Sequence, residues 1–260
     1  MMALYQSIQK VHKGATLKVL VVDASKKWFR TIEQFSEIEY FSPGELDGWK
    51  STLYLKIKYG IFSSSQAFIA SLKPVFIRFL VQRFQSNIIY SSASNYFFLK
   101  PESLLDELDG NNHVVMVPNF FTLNPEEGLE EFINNFLRGY YNSSLIAFSK
   151  DSVEILDWWA LACRHACENN NLKGYYYDQA YLNFLPVVFD NVKVIHDKGI
   201  LIGYWNKNHC VRFRGSEIKI NDEFPVTAIH FDPKTIAEIA SGNDKHLEPL
   251  LKLYYKSYRR

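Results

Sequence analysis

Short apolar runs rich in β-branched residues recur along the chain, separated by stretches of helical spacing, and this alternation restricts its fold more than any other feature. The runs are residues 18–23 (KVLVVD), 87–90 (NIIY), 113–117 (HVVMV), 145–148 (LIAF) and 192–196 (VKVIH). They are too short for helices and match buried strands. Between them, residues 45–59, 66–84 (with Pro74 inside), 125–137 and 152–168 carry helical patterns. The last has a start signal, because Asp151 and Ser152 precede a stripe of Val153, Leu156, Trp159 and Cys163. Strands alternating with helices predict an α/β fold whose central sheet is mostly parallel and covered on both faces. In such sheets ligands bind beyond the carboxyl ends of the strands. That directs attention to Asp23, residues 91–95, residues 118–121 and the loop at His230.

The bulk properties narrow the function. The 260 residues are 47% apolar, enough for a sizeable core. A formal net charge of +1 provides no global field to gather nucleic acid, so a ligand has to be held by a local site. Sixteen Tyr and five Trp offer flat faces with polar tips suited to sugar rings, and filling a core is the plainer use of most of them. No apolar run reaches the roughly 18 residues of a spanning helix, and the N-terminus lacks a signal pattern, so a cytoplasmic protein is expected. An odd set of cysteines, Cys163, Cys167 and Cys210, suits a reducing compartment. Cys163 and Cys167, with His165 near, share a helix face, where packing is favoured over metal binding. Residues 246–258 interleave Leu and Tyr with Lys, which fits a helix docked on the domain or one touching a membrane surface. No repeat or linker is evident, so a single domain over 1–260 is expected.

Residues 139–148 (GYYNSSLIAF) resemble the G-x-x-N-x-G-hydrophobic segment of bacterial nucleotide-diphospho-sugar transferases. The likeness continues through residues 156–159 (LDWW), Arg164, Cys167, residues 177–183 (YDQAYLN), Pro186 and residues 203–206 (GYWN), with residues 71–74 (SLKP) upstream and 228–231 (AIHF) downstream. More distantly, the pattern is similar to family-8 retaining glycosyltransferases such as glycogenin. The resemblance implies a single GT-A-like, Rossmann-like domain that moves a sugar from a UDP- or GDP-sugar to a glycan or lipopolysaccharide-type acceptor. The departing diphosphate gathers negative charge while the anomeric carbon becomes cationic, and the site must stabilise both. In the family a D-x-D pair holds Mn²⁺ or Mg²⁺ for the diphosphate. Here residues 89–96 read IYSSASNY where the family has I-Y-L-D-x-D-x-Y, so Ser92 and Ser94 replace both carboxylates. Neutral hydroxyls are weak ligands for hard cations, and no metal ligand is assigned. Two readings follow: a metal-independent or impaired transferase relying on donors such as Lys73, His230 and backbone N–H groups, or an inactive relative that binds a sugar nucleotide, a glycan or a partner enzyme.

Carried over residue by residue, the resemblance puts Lys73, Ser92, Ser94 and His230 beside the donor, and the strand-end rule adds Asp23 there. It gives catalytic places to Asn142, Asp178 and Gln179, and an acceptor-side platform to Trp205 and Asn206. Plainer roles stand beside these: a surface lysine for Lys73, a helix N-cap for Asp178, a satisfied core histidine for His230 and core packing for Trp205. The family begins with a strand ahead of a helix like residues 4–10 (LYQSIQK). This chain starts in that helix, so a GT-A-like fold without its first strand, from a truncated start, is expected.

Overall fold

The structure is a computed structural model that describes residues 1–22, 38–46, 48–61, 65–108 and 111–258. Asp23, assigned to the donor site from the sequence, lies outside the described residues.

Helix α1 (Met2–Val11) leads into β1 (Leu17–Leu20), which pairs in parallel with β2 (Ile38–Phe41). Helix α2 (Gly48–Leu55) runs on as a π-helical turn, Lys56–Ile61, and α3 (Ser65–Phe84) follows. Pro74 inside α3 removes one backbone donor. The helix persists because Leu72, Ile77, Leu80 and Val81 are buried, which tethers both of its halves. Strands β3 (Ile88–Ser91), β4 (Asn95–Phe97), β5 (Val114–Pro118) and β6 (Tyr141–Phe148) come next, with α4 (Glu102–Asp106) before β5 and α5 (Leu129–Leu137) before β6. Helix α6 (Val153–His165) then leads to a small hairpin, β7 (Asn169–Asn170) and β8 (Tyr175–Tyr176), and α7 (Leu185–Val188) precedes β9 (Val192–Val194). The meander β10 (Arg212–Arg214), β11 (Ile218–Ile220) and β12 (Phe224–Pro225) comes before β13 (Ala228–His230), α8 (Pro233–Ala240) and α9 (Glu248–Tyr258).

The main sheet has the order β3-β6-β5-β9. The expected α/β architecture is present, with a correction to strand direction. β3, β5 and β9 run the same way, but β6 is reversed and lies between β3 and β5, so two of the three pairings are antiparallel. The cause is the connection from β5. Residues 119–140 turn back at the end where β5 finishes, pairing Pro118 with Tyr141, and never cross to the other end of the sheet.

Alternation along the strands divides the core in two. Val114, Met116, Ile146 and Phe148 face α3 and α6, with Trp159 stacked on Phe148. Val115, Val117, Leu145 and Ala147 face the opposite layer, which includes α1, β4, β13 and α9. Both faces are covered, as the sequence pattern predicts. Of the two readings of the C-terminal segment, docking is what occurs: Leu251 and Tyr254 of α9 are buried, and Tyr254 stacks on Phe231 with centroids 4.2 Å apart. No described helix is long and apolar enough to cross a membrane. Cys163 and Cys167 are buried and unbridged while His165 is exposed, so packing accounts for the cysteine pair.

Candidate functional site

The site begins with an irregularity in β6. Its register on β5 jumps from Met116↔Ile146 to Val117↔Asn142, leaving residues 143–145 without counterparts. A bulge of this kind re-aims side chains, and here Asn142 and Ser144 line a cavity of about 150 Å³. The bulged backbone is satisfied from both sides. Ser92 N–H and Asn95 Nδ2 each donate to the Ser144 carbonyl at 2.8 Å, and Ser143 N–H donates to Gln179 Oε1 at 3.0 Å. Asn142 Oδ1 accepts from Ser144 N–H and Oγ at 2.8 and 2.6 Å, and its Nδ2 donates to Asn119 Oδ1 at 2.9 Å. Asn119 in turn donates to the carbonyls of Gly139 and Tyr141. The floor is therefore a closed amide network with its donors and acceptors committed internally.

A second wall comes from the Gly203 turn. Asn206 is fully buried, accepting from Gly203 N–H and donating to the Leu201 carbonyl. The Arg212 guanidinium, paired with Asp244 at 3.1 Å, donates to the carbonyls of Gly203 and Asn206. This buried clamp presents Tyr204 and Trp205 to the cavity, and Trp205 Nε1 donates to the Asn119 carbonyl at 3.1 Å. Only glycine fits at 203, because a Cβ there would lie 2.0 Å from the Trp205 ring. Trp205 is thus a cavity wall. Asn206, assigned with it to an acceptor platform, holds the turn from beneath and does not line the cavity.

His230 reaches the cavity through the pairing of β13 with β4, which sets it opposite Asn95. Asn95 Nδ2 donates elsewhere, so its Oδ1 accepts from His230 Nδ1 at 2.7 Å and leaves Nε2 as the ring's remaining polar atom. Burial lowers the His230 pKa; Asp232 works against that and Lys73 adds to it. The ring is neutral at pH 7 with a lone pair on Nε2. Asp232 also lines the cavity, and one of its oxygens caps α8 through Thr235 N–H at 2.6 Å.

Lys73 and Asp178 lie together but outside the lining. Lys73 Nζ meets Asp178 Oδ2 at 2.5 Å, with side chains only 11% and 5% exposed, and also donates to the Ser143 carbonyl and hydroxyl. Burial opposes the lysine charge, yet Asp178 and Tyr90 outweigh it and the Lys73 pKa stands above its ordinary value. Asp178 occupies the N-cap position of a 3₁₀ turn, Gln179–Phe184, without making a capping bond; its carboxylate serves Lys73. Gln179 does line the cavity, joining Ser143 to the Arg138 carbonyl.

No family model matches the chain. YfnF, an uncharacterised protein of Bacillus subtilis strain 168, is 23% identical over 247 residues, covering 91% of this chain and 78% of the relative. The apo form of mouse xyloside xylosyltransferase 1 superposes with a TM-score of 0.50 at 12% identity, covering 90% of this chain and 91% of that one. The apo bifunctional glycosyltransferase WbbM gives 0.54 at 16% identity, covering 90% of this chain and 43% of that one. The chain has a GT-A glycosyltransferase fold.

The resemblance brings a divalent cation with it, and the described residues that line the cavity do not fit one. Ser92 and Ser94, which the resemblance sets at the D-x-D positions, do not line the cavity, and Ser92 Oγ accepts the Ser94 N–H at 3.4 Å. Among the described residues no group of three or more His, Cys, Asp and Glu side chains converges. Asp232 is the cavity's single carboxylate among them, and it is engaged as a helix cap. A hard cation needs several charged or carbonyl oxygens, which this wall does not present.

Of the residues assigned from the sequence, Asn142, Gln179, Trp205 and His230 share the cavity, whereas Lys73, Asp178, Ser92, Ser94 and Asn206 do not line it. Sequence reasoning missed Arg138, Tyr176 and Tyr204, which also line it. Arg138 is the C-cap residue of α5, where a cation reads as complementing a helix dipole. The available signal was its place directly before Gly139, whose φ of +96° turns the chain into β6.

Proposed function

We propose that this protein transfers a sugar from a nucleotide-diphosphate donor to a hydroxyl of a glycan or lipopolysaccharide-type acceptor, without a divalent metal. The observation that carries this is the convergence, on a GT-A fold, of a bulged strand, a closed amide floor, an indole wall and a neutral imidazole around one cavity. At about 150 Å³ the cavity is smaller than the ~300–1,000 Å³ typical of pockets that enclose a whole ligand. It accepts the sugar ring and the adjoining phosphate, and the nucleoside extends beyond it.

Each group then has a role. Trp205 and Tyr204 supply apolar faces for sugar rings. Asn142, Asn119 and Gln179 hold the floor rigid, so reacting atoms are positioned before the barrier is climbed. His230 Nε2 accepts the proton of the attacking hydroxyl, while Nδ1–H stays on Asn95. Asp178 and Lys73 act together as a neutral brace beneath Ser143. The assignment extends to residues 1–260 as one domain and to a cytoplasmic site of action, in keeping with buried free thiols at Cys163, Cys167 and Cys210. A second reading, binding of a sugar nucleotide, a glycan or a partner enzyme without transfer, is favoured by the same Lys73–Asp178 pairing, which withdraws both charges from the cavity.

The test is release of free sugar from a panel of UDP- and GDP-sugars in EDTA, followed by NMR without acceptor. Slow hydrolysis is expected for one donor, falling by about 100-fold in His230→Gln. Saturable nucleotide binding with no release would establish the second reading. Absence of any nucleotide binding would overturn the transferase reading and leave, of the second, only binding of a glycan or a partner enzyme.

A further inference from the structure

We propose that Arg138 is the cation that seats the donor's diphosphate in this site, supplying the positive charge that a divalent metal would bring. The inference rests on the transferase reading above and adds to it the group that neutralises the leaving diphosphate.

Arg138 is the one permanently charged cation lining the cavity among the described residues. Among the described residues no carboxylate stands at ion-pair distance from its side chain; its hydrogen-bond partner is the Tyr204 hydroxyl, to which Nη1 donates at 3.0 Å. Most of the guanidinium's five N–H donors thus make no bond to a described residue, in the planar fork that matches phosphate oxygens. The neighbouring cations are already neutralised, Lys73 by Asp178 and Arg212 by Asp244. Lys234 lies with Nζ 4.2 Å from the Tyr204 ring centroid, which adds positive potential beside the same phenol. Asp232 is the opposing charge in the cavity, and the N-terminus of α8 compensates it.

The plain explanation of an arginine at a helix C-terminus is attraction to the helix dipole. The geometry argues against that as its whole purpose, because the guanidinium reaches across to Tyr204 and makes no bond to the last carbonyls of α5. Its backbone is fixed for the reach: Arg138 N–H donates to the Asn134 carbonyl, Gln179 Nε2 donates to the Arg138 carbonyl at 2.9 Å, and Gly139 turns the chain immediately afterwards. Gln179 is therefore a positioning residue for Arg138.

The experiment is calorimetric titration, in EDTA, of wild type, Arg138→Gln and Arg138→Lys with UDP, UMP, inorganic pyrophosphate and glucuronate, with unfolding midpoints measured to confirm that each variant folds. GDP and GMP replace the uridine pair if the donor screen selects a GDP-sugar. Wild type should bind the diphosphate at least about tenfold tighter than the monophosphate, a preference weakened by salt. Arg138→Gln should abolish that preference. Arg138→Lys should restore only part of it, since a point charge lacks the fork. An unchanged preference in Arg138→Gln overturns the proposal while leaving the transferase reading intact. Arg138-dependent pyrophosphate binding with no nucleotide binding supports the anion seat and removes the transferase reading. Arg138-dependent glucuronate binding with no diphosphate preference assigns the seat to an acidic glycan and overturns the proposal.

Discussion

Lys73→Met removes an ammonium that stands 2.5 Å from Asp178 in surroundings where the two side chains are 11% and 5% exposed. At that separation and an effective dielectric of about 20, the gross attraction is about 7 kcal/mol. Much of it is offset by the cost of taking both ions out of water. The variant leaves the carboxylate buried without its counter-charge and strips the Ser143 carbonyl and hydroxyl of donors at 3.0 and 2.9 Å. The expected loss of stability is about 3–5 kcal/mol. Asp178→Asn removes the counter-charge and leaves the ammonium with the Ser143 carbonyl and hydroxyl and with the Tyr90 ring, 5.0 Å away, and should cost a similar amount. Lys73→Met/Asp178→Asn should cost less than the sum of the two, by about 1–3 kcal/mol. Urea denaturation followed by tryptophan fluorescence reads this directly, because Trp159 Nε1 donates to the Asp178 carbonyl at 2.9 Å. An unchanged slope with a shifted midpoint identifies a change in stability. If each single variant costs under about 1 kcal/mol, as exposed pairs do, the ammonium is hydrated and free to meet a donor, and the brace assigned to it is wrong.

Asp244→Ala leaves the buried Arg212 guanidinium uncompensated beneath the Gly203 turn, and a loss of about 3–5 kcal/mol with a lowered unfolding temperature is expected; an unshifted transition would refute the clamp. Gly203→Ala should displace the Trp205 ring, since the added Cβ would lie 2.0 Å from it, and change the emission spectrum; an unaltered spectrum would count against that packing. Burial holds the His230 pKa below its ordinary 6.5, so the unfolded chain binds this proton more readily. Its contribution to stability is complete above about pH 6.5 and is lost as the pH falls toward the folded value. His230→Gln should therefore flatten the acid side of the stability profile, leaving the part due to His209, whose pKa is also lowered, and an unflattened profile would contradict the buried neutral imidazole.

What the sequence disclosed was governed by local pattern. The runs at 87–90, 113–117 and 192–196 became β3, β5 and β9, and residues 66–84 became α3, because apolar periodicity specifies which surfaces are buried. The direction of β6 was not legible. It depends on residues 119–140 staying at one end of the sheet, a property of the connection that the strand's own residues do not encode. At the site, Asn142, Gln179, Trp205 and His230 were found through motif likeness, but their hydrogen-bond commitments were not, since these come from partners far along the chain such as Asn119 and Asn95. Lys73 read as a free donor because a single ammonium in a sequence does not reveal a carboxylate 105 residues away. Arg138 escaped notice for the opposite reason: its helix-end position already had a sufficient local explanation.

The most direct test of the account compares nucleotide-diphosphate affinity in Mn²⁺ with that in EDTA, using wild-type protein and the donor nucleotide found by the hydrolysis screen. Equal affinities within about twofold are predicted by the proposal that protein cations and dipoles carry the diphosphate. A gain of about tenfold or more on adding Mn²⁺, equivalent to ~1.4 kcal/mol, would mean that Ser92, Ser94 and His230 hold a cation after all.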